Sequence, residues 1–159
     1  MLDTELLWIA PGHVFARWRN VAIQLRSAEM TLEAMGSIET AAHLMRAQMP
    51  KAACYGAMLV ISADAPRVAG EAAVRQREFL TTLADDERIH IAIVIEGEGV
   101  PRFTQRVMAR ALMGGKRRRV CDSVPDAART LMAALAAPDG DRELVAYVEE
   151  LRGRLVVTT

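Results

Sequence analysis

Ile89-His90-Ile91-Ala92-Ile93-Val94-Ile95 carries one polar side chain, is rich in β-branched residues, and is broken at its end by Glu96-Gly97-Glu98-Gly99. A strand with one wet face alternates apolar and polar residues. A near-continuous apolar run of this length instead fits a strand buried on both faces, as in a parallel sheet covered by helices. Gly56-Ala57-Met58-Leu59-Val60-Ile61-Ser62 is a second run of the same kind. Between them, Val68 to Leu83 sets Val68, Ala72, Phe79 and Leu83 against Arg67, Glu71, Arg75 and Glu78, an amphipathic helix that Pro66 can open. Two buried strands joined by a helix predict a parallel pair with a right-handed crossover.

Reading outward from this unit, Pro101 opens a helix reaching about Met113, which Gly114-Gly115 ends. Arg118-Arg119-Val120-Cys121 reads as a short, charged edge strand. Ser123 and Pro125 start a helix through Leu135, Pro138-Asp139-Gly140 is a turn, and Asp141 to Arg152 is a last helix with Leu144, Val148 and Leu151 inward. Leu155-Val156-Val157 is either a frayed end or a small added strand. In the other direction, Ser27-Ala28-Glu29-Met30 marks the start of a helix that Pro50 stops. Its Met35, Ile38, Ala42, Met45 and Met49 recur at steps of three and four, either as a core-facing stripe or as an adaptable Met-rich binding face. Leu6 to Ile9 and Val14 to Arg19 flank Pro11-Gly12 and predict a hairpin, which Val21 to Leu25 extends or follows as an irregular connection. The expected fold is α/β: a single domain over 1–159 with a mixed, mostly parallel sheet of about five strands. It carries an N-terminal β-hairpin and five helices, the helix at 141–155 being an appendage.

Composition narrows the function classes. The chain has 159 residues, 52% of them hydrophobic and 25% charged, so it can build a core without disulfides or metal and is not disordered. Its 20 basic and 20 acidic side chains balance, which excludes a bulk polyanion binder but permits a local basic patch. No apolar stretch approaches the roughly 20 residues of a membrane-spanning helix. Met1 to Trp8 carries Asp3 and Glu5 but no Lys or Arg, unlike the start of a signal peptide. Cys54 and Cys121 stand in apolar, strand-like contexts and read as buried free thiols of a reducing, cytoplasmic compartment. With no CxxC, no HxxxH and no Cys/His cluster, neither a zinc site nor any other cofactor is expected.

The order of two N-terminal strands followed by three α-β units, over roughly residues 5 to 136, resembles the STAS domain of anti-sigma-factor antagonists. That resemblance implies a non-enzymatic, protein-binding regulatory module of the bacterial kind, switched by phosphorylation of a Ser or Thr in the loop after the first buried strand. Where the family usually reads D-S-S-G, this chain reads Ser62-Ala63-Asp64-Ala65-Pro66, lacking the Ser pair and the Gly, and Ser62 is the position carried over.

Three groups of residues are candidates for chemistry. Arg102, Arg106 and Arg110, spaced i, i+4, i+8, form one helical stripe that runs into Lys116-Arg117-Arg118-Arg119. This reads as a partner-binding surface centred on Arg102, Arg106, Arg110, Lys116 and Arg117, or as a solvated face. Nucleic acid is disfavoured because no aromatics interleave with the stripe, Phe103 being expected to face the core. The second group is an acidic rim at the strand ends, Asp64, Glu96, Glu98 and Asp122, which suits a small ligand or Mg²⁺ but equally suits helix capping. The third is histidine: His90 reads as a satisfied sheet residue and His43 as a surface or interface one, without a nucleophile that spacing pairs to either. The expected function is therefore a regulatory or scaffold module binding protein partners, compatible with a homodimer. A rim ligand is the alternative, and binding of an anionic surface or nucleic acid through the Arg stripe a second alternative.

Overall fold

The computed structural model describes residues 3–51, 53–112 and 115–157. Its strands are β1 (Thr4–Ala10), β2 (His13–Trp18), β3 (Val21–Arg26), β4 (Tyr55–Ile61), β5 (Ile89–Ile95) and β6 (Arg118–Cys121). Its helices are α1 (Leu32–Gln48), α2 (Gly70–Asp85), α3 (Val100–Leu112), α4 (Val124–Ala134) and α5 (Asp141–Val157). The two apolar runs, β4 and β5, lie side by side in parallel register, Tyr55 opposite Ile89 and Ile61 opposite Ile95. They sit in one sheet of order β1-β2-β3-β4-β5-β6, in which β1, β2 and β3 are antiparallel and β3 to β6 parallel.

The sheet is α/β and mixed, as expected, with six strands rather than about five. The additional strand is Val21–Arg26, which pairs with β2 on one side and β4 on the other. At the hairpin turn Gly12 has φ +74°, and a Cβ there would lie 2.2 Å from that of Ala28. Only glycine fits such a conformation at such a close approach.

Strands β3 to β6 advance in one direction, so right-handed crossovers put α1, α2 and α3 on the same face. The other face is left to the two helices that follow β6. There Val14, Ala16, Trp18, Ile23, Met58, Val60, Ala92 and Val94 pack against Leu131, Leu144, Val148 and Leu151, all nearly or fully excluded from water. Helix α5 continues through 155–157 as helix instead of fraying or adding a strand, and Leu155 lies in this core. It is thus an integral layer, not an appendage.

The α1 stripe faces inward: Met35, Ile38, Ala42 and Met45 are buried with Phe15 or against the sheet, which settles the Met-rich face as core. Helix α1 begins later than Ser27 suggested. Its N-cap is Thr31, whose Oγ1 accepts from the Ala34 amide at 3.0 Å. Ser27 instead closes the hairpin end, its amide donating to the Gly12 carbonyl at 2.9 Å. Ser123 caps α4 as expected, accepting from the Asp126 amide. Met113 and Gly114, assigned to the end of α3, lie outside the described residues.

Candidate functional site

Helix α3 is amphipathic, but its faces are inverted relative to the sequence expectation. The carbonyls at the C-terminal ends of β4 and β5 need donors, and the arginines of α3 supply them. Arg102 donates to the carbonyls of Ser62 (3.1 Å), Ala63 and Ala65 (2.8 Å). Arg106 donates to the Ile95 carbonyl through Nε and Nη2 at 2.9 and 2.7 Å, and also to the Gly97 carbonyl. Arg110 meets Asp122 at 3.3 Å on the surface. The stripe is therefore not a free cationic surface, because two of its three guanidinium groups staple the helix to the sheet. Phe103, expected to face the core, is 63% exposed, and Val100, Val107 and Met108 are exposed with it. Four of the nine exposed large apolar residues among those described thus stand on this one helix.

Beneath α3 lies a cavity of about 390 Å³, between α2 and α3. Its floor is Leu59, Ile61, Ile93 and Ile95, and α2 and α3 contribute Leu80 and Met108 to its walls. Among the described residues its charged lining is Arg26, Arg67, Arg77 and Arg118, with no acidic residue. At its mouth Arg67 Nη2 approaches Met108 Sδ at 3.6 Å. Arg26 is 1% exposed. Its Nη1 donates to the carbonyls of Ala28 (3.0 Å) and Pro66 (2.7 Å), whereas its Nη2 has no partner. Burial, and secondarily the neighbouring charge of Arg102, lower its pKa to about 10. A change of that size corresponds to about 3 kcal/mol against the charged form.

The acidic rim does not converge. Glu96 forms a bidentate pair with Arg152 of α5 at 2.6 and 2.7 Å, Asp122 faces Arg110, and Asp64 and Glu98 are exposed. Among the described residues no group of three His, Cys, Asp or Glu side chains is placed to hold a metal ion. On the other face, Glu143 pairs with Arg19 and Glu149 with Arg152.

Ser62 is half-buried just past β4, its carbonyl held by Arg102. Lys116 and Arg117 lie at the other end of the sheet, lining a smaller cavity of about 170 Å³ with His90 and Arg119. Arg117 donates to the Asp86 carbonyl at 2.5 Å. His90 is half-buried, and burial lowers its pKa, with Arg117 acting in the same direction. Cys121 is buried and free, but Cys54 is exposed, because it precedes β4 instead of lying within it.

No family model, curated protein or solved structure matches this chain. The functional geometry therefore rests on its own residues. The cavity is not legible in the sequence because Arg26, Arg67, Arg77 and Arg118 are scattered over three elements and a loop. The one local sign was Arg26 at the end of a strand whose neighbours are apolar. Val100, Phe103 and Val107 recur at i, i+3 and i+7 along α3, but their outward direction is not contained in that spacing.

Proposed function

We propose that the chain is a non-enzymatic regulatory module of STAS-like organisation that binds a protein partner on the outward face of α3. The exposure of Phe103 with Val100, Val107 and Met108 carries this reading, since a contiguous apolar patch marks an interaction surface more often than scattered residues do. The occupant is a segment of another protein that presents apolar anchors beside acidic residues. Helix α3 contains no Asp or Glu, and Arg67 and Arg110 stand exposed beside the patch. A second copy of this chain would set those arginines against their own images. Ser62 is the switch position in this reading. A phosphate there would bring negative charge to the loop that Arg102 holds, and compete for that guanidinium.

A photo-cross-linking residue at position 103, compared with one at Ala133 on the exposed side of α4, tests the proposal in cells. The expected result is an adduct from position 103 alone, to an acidic, apolar segment of one protein. That protein, once purified, should bind the native chain and lose about tenfold in affinity for Phe103→Glu with an unchanged melting temperature. Adducts only to a second copy, only to lipid, or none at all overturn it.

A further inference from the structure

We propose that the gap between α2 and α3 is a binding site for a single-chain amphiphilic anion, an aliphatic tail ending in a carboxylate or a phosphate monoester. The charge argument is direct. In a chain of zero formal net charge, all four charged residues lining this cavity are arginines: Arg26, Arg67, Arg77 and Arg118. Arg26 is buried with Nη2 unpartnered, a state that a bound anion relieves by adding charge of the opposite sign to the cavity it lines.

The remaining lining specifies the tail. The floor and walls are aliphatic, and no Phe, Tyr or Trp lines the cavity, so no platform exists for stacking a nucleobase or another flat ring. A volume of about 390 Å³ falls within the range of small-ligand pockets. The sheet itself shows the vacancy. On the α4 and α5 side, Met58 and Val60 of β4 are at most 1% exposed, whereas Leu59 and Ile61 on the cavity side are only partly buried although β4 is a central strand. A hydrocarbon chain laid along Leu59 and Ile61 completes that layer. This site shares Met108 and Arg67 with the edge of the outer face of α3, but its argument does not rest on the partner proposed there.

The test is titration calorimetry and thermal unfolding of the purified full chain with dodecanoate, dodecyl phosphate, dodecanol and dodecyltrimethylammonium, each below its micelle-forming concentration. The two anions should bind one per chain and raise the melting temperature, with the alcohol and the cation at least about tenfold weaker. The tighter of the two anions identifies carboxylate or phosphate as the natural headgroup. Inorganic phosphate alone should bind more weakly than dodecyl phosphate. Arg67→Gln and Arg77→Gln, both at exposed positions, should each weaken the anions about three- to tenfold without lowering the melting temperature of the free chain. Leu80→Trp should fill the cavity and block them. Equal binding of cation and anion, no saturable binding, or anion binding indifferent to both arginine variants overturns the proposal.

Discussion

Asp86 shows how much a single side chain can join. Placed just past α2, its carboxylate accepts from Arg88 (Nε 3.0 Å, Nη2 2.9 Å), from Arg46 of α1 at 3.0 Å and from the Tyr55 hydroxyl of β4 at 3.0 Å. The hydrogen bonds from Arg88 hold its pKa well below the usual carboxylate range, against the opposing effect of burial. A folded-state pKa lowered in this way adds stability that is present above pH 4 and is lost as the pH falls below it. Asp86→Asn should cost about 2–3 kcal/mol at pH 7, read from the urea midpoint, and should flatten the acid limb of the stability curve. His13 acts in a higher window. It is buried, with Nε2 3.0 Å from the Glu29 carbonyl, and burial lowers its pKa below the ordinary 6.5. The unfolded chain therefore takes up a proton near pH 6.5 that the folded chain does not, and stability declines as the pH falls from 7.5 to 5.5. His13→Gln should remove part of that slope, and His90, also lowered by burial, should account for part of the remainder.

At the scale of elements, α3 differs from the other helices in what holds it. Helices α1, α4 and α5 bury apolar residues; α3 keeps its large apolar residues outward and is fastened by Arg102 and Arg106 to strand-end carbonyls. Few buried apolar contacts predict a lower local stability for it than for α4. Its amides should exchange with solvent at least about tenfold faster than those of α4. Arg106→Met should speed that exchange further while leaving α4 and α5 protected. Uniform loss of protection would instead show that α3 is part of the global folding unit. The periodicity of Arg102, Arg106 and Arg110 was plain in the sequence. That these arginines face inward depends on the carbonyls of Ser62, Ala63, Ile95 and Gly97, which come within their reach only once β4 and β5 have ended side by side. The start of α1 at Thr31 rather than Ser27 has a related reason. Ser27 and Thr31 are both competent caps, and the closure of the hairpin on Gly12 engages the first and leaves the second to the helix.

For the whole molecule, the decisive property is that the two faces of one sheet are packed differently. The α4–α5 face is close-packed around Val60, Ala92 and Val94, while the α1–α3 face leaves cavities over Leu59 and Ile61. Enlarging a side chain should be punished on one face only. Ala92→Leu should cost about 1–3 kcal/mol, and Leu59→Phe less than about 1 kcal/mol, as measured by chemical denaturation. Equal costs would mean that the cavity face closes to the same density in solution. The α/β class, the mixed sheet, the central position of the two apolar runs and the positions of most helices were determined by the sequence alone. Period, length and punctuation by Pro and Gly are local properties that any folded form of this chain must respect. Tertiary structure alone decided the facing of α3, the pairing of Glu96 with Arg152, and the gathering of Arg26, Arg67, Arg77 and Arg118 around one cavity. Those features require residues far apart in the chain to meet, and the crossovers that bring them together place them by geometry that no short stretch of sequence contains.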